Sequence, residues 1–117
     1  ETAKISRGCI IYPGAKVSSN SQLDENVVVQ FNTVVGHDIR IQENTVVSSN
    51  VCIGGSVNIG KNCFVGMGAI IKEGVKIGCN SIVGMGSVVY KDIPDGVITL
   101  GNPARVARKN EDKKIFK

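Results

Sequence analysis

The sequence predicts an all-β protein. Residues 1–94 read as a parallel β-helix of about five triangular coils, and residues 95–117 as a C-terminal segment forming a short tail or helix. Three observations carry this. Aliphatic residues recur every six positions without interruption. A residue that tolerates a left-handed backbone follows almost every one of them three positions later. The residues between the inward ones repeat with a longer period of eighteen.

The aliphatic file runs Ile5, Ile11, Val17, Leu23, Val29, Val35, Ile41, Val47, Ile53, Ile59, Val65, Ile71, Ile77, Val83 and Val89. Four residues after each stands a small or β-branched side chain, from Cys9 and Ala15 to Ser87 and Ile93. Successive side chains of a strand point to opposite faces. The small residue and the next aliphatic therefore face inward, and the residue between them faces out. Three residues after each aliphatic come Gly8, Gly14, Asn20, Asn26, Asn32, Asp38, Asn44 and Asn50, then Ser56 as the exception, then Asn62, Gly68, Gly74, Asn80, Gly86 and Asp92. Gly, Asn and Asp are the types that accept positive φ. Each hexad thus reads as a short strand and a tight turn.

The outward residues fall into three files. Ile10, Val28, Val46, Phe64 and Ile82 are all apolar; Lys16, Val34, Cys52, Ile70 and Val88 are apolar after the first coil; Gln22, Arg40, Asn58, Lys76 and Pro94 include no aliphatic. Three hexads make one coil, and residues eighteen apart stack about 4.8 Å apart. The prism has two apolar faces and one polar face. Monomers rarely leave such strips in water. A closed ring in which one apolar face of each subunit meets the other apolar face of its neighbour buries both. Three subunits close such a ring naturally, so a homotrimer is expected.

Composition narrows the function. Aromatic residues make up 4% and Trp is absent, which suits small stacked units rather than a core built on large rings. The net charge of +4 lies in the tail, where Arg105, Arg108, Lys109, Lys113, Lys114 and Lys117 face only Glu111 and Asp112. No basic stripe is interleaved with aromatics, so a nucleic-acid partner is not expected. No apolar run approaches the roughly 20 residues of a membrane span, and no signal peptide is visible. Cys9, Cys52, Cys63 and Cys79 lack metal or redox spacing. They read as small packing residues of a reduced, cytoplasmic protein. Opening on Glu1, the chain is expected to be a fragment or a processed product.

His37 is the only histidine. As the second residue of its turn it stands at an exposed corner, where an ordinary polar residue would serve equally well. Its surroundings favour more. The corner joins the Val34 face to the polar Arg40 face, so in a trimer it lines the groove between neighbours. Gly55 lies directly above it, beside Gly54, and the pair is expected to leave open space over the imidazole. Acyl transfer needs a base that titrates near neutrality, which suits histidine. Asp38 either fixes the imidazole tautomer or merely fills a left-handed position. Gln30, Asn32 and Glu73 nearby indicate polarity and nothing finer.

The unbroken hexads "IGKNCF-VGMGAI-IKEGVK-IGCNSI-VGMGSV" and the "GNPAR" that follows resemble the left-handed β-helix, hexapeptide-repeat acyltransferases. With "VVGHD" and "KDIPDGVITLGNPARVAR", the chain is similar to bacterial sugar O- or N-acetyltransferases of the sialic-acid O-acetyltransferase type, over roughly Val29 to Arg108. The resemblance implies the left-handed coil, which periodicity does not show, and an acetyl-CoA donor. It also implies direct transfer to a hydroxyl or amine of a sugar or nucleotide-sugar, and again a trimer. The family's catalytic histidine falls on His37, with Asp38 beside it. Cofactor contacts are implied at Gly55, at Met67 and Met85 inside their Gly-x-Gly elements, and at Asn102, Pro103 and Arg105. For the methionines, packing between the two apolar faces is the competing reading. For "GNPAR", Asn102 capping and Pro103 opening a short helix is the local explanation, with Arg105, Arg108 and Lys109 meeting phosphates. The donor-contacting second histidine of some relatives is replaced by Val46, and one histidine per chain excludes a three-histidine metal site, so no metal is expected. The rival class is a non-catalytic β-helix that acts as a trimerisation or scaffold module.

Overall fold

The computed structural model describes residues 3–111. Lys113, Lys114 and Lys117 of the basic tail lie outside the described residues, as does most of the segment expected beyond Asn110. Two-residue strands follow the hexad rule from β1 (Lys4–Ile5) and β2 (Ile10–Ile11) to β14 (Ile82–Val83) and β15 (Val88–Val89). Each coil stacks on the next in parallel register eighteen residues on: Gln22 pairs with Arg40, Val46 with Phe64 and Cys52 with Ile70. The result is a three-sided solenoid with sheets of five, seven and five strands.

The inner aliphatic file is buried from Leu23 to Val89, whereas Ile5 is 50% and Ile11 37% exposed in the first coil described. The inner small positions hold the coils together through hydrogen bonds. The Ser21 hydroxyl donates to the Gly36 carbonyl at 2.7 Å and accepts from the Ile39 N–H at 3.1 Å. Thr33 and Thr45 repeat this between their own coils. Buried hydroxyls need such partners, and the eighteen-residue stacking supplies them to these three, whereas the buried Ser87 hydroxyl has none among the described residues. Cysteine fills the same slot: the Cys9 thiol donates to the Asp24 carbonyl at 3.1 Å, and that of Cys63 to the Gly78 carbonyl at 2.9 Å. Burial pushes the Cys63 thiol up to about 11, so it stays protonated as a donor. Cys52, by contrast, is exposed on the outer face and Cys79 sits half-buried at a corner, so packing explains only two of the four cysteines.

The turns follow the expected left-handed pattern from Gly8 to Gly86, with Ser56 at φ 60° included. The exception is Asp92, which is absent from the positive-φ set. Its carboxylate instead accepts the Lys76 N–H at 2.9 Å, and Gly96 at φ 68° takes the left-handed role. The last coil is accordingly two residues short, pairing Ile82 with Ile98.

The C-terminal segment departs from the expected helix. Asn102 and Pro103 do not start one; they form a turn between β16 (Val97–Leu100) and β17 (Arg105–Lys109), which pair antiparallel. The Asn102–Pro103 peptide is cis. The physical reason is the free edge of β14: β16 pairs with it, and β17 covers β16 in turn. A helix of a few residues would leave that edge open. The charged residues of β17 suit an outermost strand, where they discourage further pairing. The hairpin also changes one apolar face: Ile82 is buried, while Val34 and Ile70 on the other face are exposed. Among the described residues no helix is long and apolar enough to cross a membrane.

Candidate active site

His37 stands on the corner between the Val34 face and the Arg40 face, as the hexad rule requires. Its backbone is fixed from both sides. Val35 and Ile39, the inner residues that flank the turn, are fully buried. The Asp38 N–H donates to the Ser19 carbonyl below at 3.1 Å, and the His37 carbonyl accepts the Ser56 N–H above at 3.0 Å. The Ser21 hydroxyl clamps the same turn from inside through Gly36 and Ile39. The corner is therefore a rigid mount for a side chain that is itself 67% exposed.

Asp38 has the geometry that both readings of it require. It occupies the left-handed position at φ 58°, and its Oδ2 lies 2.9 Å from His37 Nδ1. A carboxylate there favours the tautomer with the proton on Nδ1, leaving the Nε2 lone pair free to accept a proton.

Gly55 lies over the ring. A Cβ at this position would stand 2.7 Å from both His37 Cε1 and Nε2, so only glycine allows the imidazole its place. The expectation of open space needs correction at Gly54. There a Cβ would meet the Glu73 backbone nitrogen at 2.6 Å, so Gly54 is required by close approach of the next coil. The open space is lateral. A hollow of about 180 Å³ is lined by His37, Gly55, Ser56, Glu73 and Gly74. Ser56, Glu73 and Gly74 are the members that the sequence reading did not single out as site residues. Glu73 lies two coils from His37 on the same edge, a spacing present in the sequence, but an exposed corner carboxylate reads as solvated. Ser56 did carry a signal, as the one break in the Gly/Asn/Asp pattern.

The remaining site candidates lie elsewhere in the chain. Met67 and Met85 stack one coil apart, with the Gly86 N–H donating to the Met67 carbonyl at 2.8 Å. They occupy the corner between the two apolar faces and are 50% and 73% exposed, so packing within the chain does not explain them. The turn of Asn102, Pro103 and Ala104 caps the end of the solenoid, where the Ala104 N–H donates to the Val88 carbonyl at 2.8 Å. Arg105 is exposed at the start of β17. Within one chain, the exposed face of Val34 and Ile70 separates the methionine corner from the His37 corner.

Residues 56–91 match the hexapeptide repeat of succinyl-transferase. The chain is similar to hexapeptide-repeat acetyltransferases. The hexapeptide-repeat solenoid aligns with a histidine-to-asparagine variant of perosamine N-acetyltransferase from Caulobacter crescentus, solved with CoA and GDP-perosamine. The identity is 29% over 90% of this chain and 53% of that one, with a TM-score of 0.79. A maltose O-acetyltransferase from Clostridium difficile 630 shares 29% identity over 88% of this chain and 70% of its own, with a TM-score of 0.75. A galactoside acetyltransferase in complex with coenzyme A shares 25% identity over 94% of this chain and 66% of its own, with a TM-score of 0.78. This chain thus spans about half the length of the perosamine enzyme. No curated protein matches it. The repeat match takes in Ser56, Met67, Glu73 and Met85, and His37 lies outside it.

Proposed function

We propose that the protein is an acetyl-CoA-dependent acetyltransferase acting on a hydroxyl or amine of a sugar or nucleotide-sugar. The observation that carries this is the His37 imidazole, held at Nδ1 by Asp38, lying under Gly55 at the wall of an open hollow. The similar enzymes described with CoA, perosamine, maltose and galactoside support the substrate classes.

The reaction is direct transfer. The acceptor oxygen or nitrogen attacks the thioester carbonyl while Nε2 of His37 takes its proton. Negative charge builds on the acetyl oxygen and is met by the backbone N–H of Gly55, which donates to no backbone carbonyl among the described residues. When the C–S bond breaks, the proton on Nε2 passes to the departing sulfur, giving free CoA and the acetylated acceptor. Asp38 keeps the ring oriented throughout.

A homotrimer belongs to this reading. Val34, Ile70, Met67 and Met85 are all exposed in a single chain. Burying them between copies sets the His37 corner at the mouth of an intersubunit groove. Met67, Met85, Asn102, Pro103 and Arg105 then serve the donor from their own corner, through backbone groups and, at Arg105, through charge on phosphate. Residues 1–94 form the catalytic solenoid in this scheme and 95–117 the donor-binding end. The free thiols and the acetyl-CoA requirement fit a cytoplasmic site of action.

The test is a screen of amino-sugars, hydroxyl-sugars and their nucleotide conjugates with acetyl-CoA, followed by release of CoA thiol. Turnover that disappears in His37→Ala supports the assignment; undiminished turnover in that variant refutes it. Thermal stabilisation by CoA separates the enzyme from a non-catalytic scaffold, which would show no shift.

A further inference from the structure

We propose that Ser56 is a catalytic residue of this same reaction, its hydroxyl donating a hydrogen bond to the acetyl oxygen as negative charge develops there. The inference rests on the acetyl-transfer reading of His37 and adds a side chain which that reading does not use.

The first observation is conformational. The non-glycine residues with positive φ are Asn20, Asn26, Asn32, Asn44, Asn50, Asn62, Asn80, Asp38 and Ser56. Asn and Asp enter this region with help from their short polar side chains. Serine gains less there, so Ser56 is the one turn residue whose type the backbone does not favour. Glycine or asparagine, used everywhere else along the other two corners, would suit φ 60° better. Residues held in an unfavourable backbone region gather at functional sites.

The second observation is place. Ser56 lines the same hollow as His37 and follows Gly55 directly. Its N–H is tied to the His37 carbonyl at 3.0 Å, which fixes its Cα above the catalytic turn. Gly74, next in the file, has nothing within 4 Å of where a Cβ would stand, so the coil above places no side chain over Ser56. It makes no hydrogen bond within the described residues.

The third is chemical elimination. At the moment of attack the hollow must supply a proton acceptor and donors for the oxyanion. His37 Nε2 is the acceptor. Glu73 as a carboxylate can only accept and carries the wrong sign for an anion. The neutral donors left, with His37 set aside, are the backbone N–H groups of Gly55 and Glu73, neither of which donates to a backbone carbonyl among the described residues, and the Ser56 hydroxyl, the side-chain donor lining the hollow.

The experiment measures kcat, KM and melting temperature for wild type, Ser56→Gly and Ser56→Ala, using release of CoA thiol. Removing one oxyanion donor lowers kcat by about 10²–10³-fold, with KM for acetyl-CoA and the binding of CoA itself close to wild type. Ser56→Gly should at the same time melt at a higher temperature, because glycine relieves the left-handed turn. Lower kcat together with higher stability is the signature a purely structural serine cannot produce. If Ser56→Gly keeps wild-type kcat while its melting temperature rises, Ser56 is only a tolerated turn residue and the proposal is overturned. A higher acceptor KM at unchanged kcat also overturns it, placing the hydroxyl on the acceptor. A wild-type protein that releases no CoA thiol and is not stabilised by CoA defeats the acetyl-transfer reading itself; turnover lost in His37→Ala but kept in Ser56→Gly defeats this inference alone.

Discussion

Two corners of the same solenoid are built by one rule and look different. On the corner between the Arg40 face and the Val46 face, the left-handed positions after Gly8 are Asn26, Asn44, Asn62 and Asn80, all at positive φ. Their amides stack, with Asn26 Nδ2 donating to Asn44 Oδ1 at 3.3 Å. On the His37 corner the equivalent file is Asn20, Asp38, Ser56 and Gly74. The first corner repeats a single solution to the backbone problem. The second keeps the backbone conformation and changes the side chain at every coil, producing a carboxylate beside the imidazole, a serine one coil above that carboxylate and a bare glycine above the serine. The difference shows where uniform stacking gives way to chemistry.

The sharpest way to break the comparison is His37→Ala. Loss of the proposed general base should lower kcat by about 10²–10⁴-fold, with melting temperature and oligomeric state unchanged, since the ring is exposed and the turn is fixed by its backbone. Core damage should behave in the opposite sense. Ile59 is fully buried, and Ile59→Ala should cost about 2–5 kcal/mol in denaturant unfolding. Intermediate in size is Gly55→Ala. Its methyl would occupy the space of the imidazole, so the ring must swing away and kcat/KM should fall by about 10–100-fold, a loss of roughly 1.4–2.7 kcal/mol in transition-state binding. Asp38→Asn separates the two functions of that residue. Asparagine keeps the left-handed turn, so stability should hold, while kcat drops by roughly tenfold, about 1.4 kcal/mol, from a less well fixed tautomer. The smallest effect belongs to the other corner: Asn62→Ala should destabilise by about 1–2 kcal/mol and leave activity at the wild-type level. Activity lost in Asn62→Ala at preserved stability would erase the distinction between the corners.

Much of this arrangement was legible in the sequence because the hexad rule is local. Each aliphatic, small and left-handed position recurs at a fixed offset, so the strands, the buried file, the three faces and the stacking of Gly55 over His37 all follow from counting. Even the inner hydroxyls obey the rule, with Ser21, Thr33 and Thr45 each reaching the carbonyl fifteen residues on. Counting fails where the chain stops repeating. Asp92 stands at the right offset and takes another conformation, because the last coil is two residues short and its carboxylate caps the Lys76 N–H. Asn102 and Pro103 carry the residue types of a helix start. They form a turn instead, because an unpaired strand edge stands next to them.

The sequence by itself determined the solenoid, its period, its polar and apolar faces and the corner on which the one histidine stands, since backbone preference and side-chain alternation act over a few residues. Only the tertiary structure decided that Asp38 reaches His37 at 2.9 Å, that Gly54 is filled by backbone while Gly55 is filled by the imidazole, and that Ser56 and Glu73 share a hollow with His37. It also decided that the C-terminal segment closes the last sheet as a hairpin. These features depend on distances between coils and on which backbone edges remain to be paired, and no local preference encodes either.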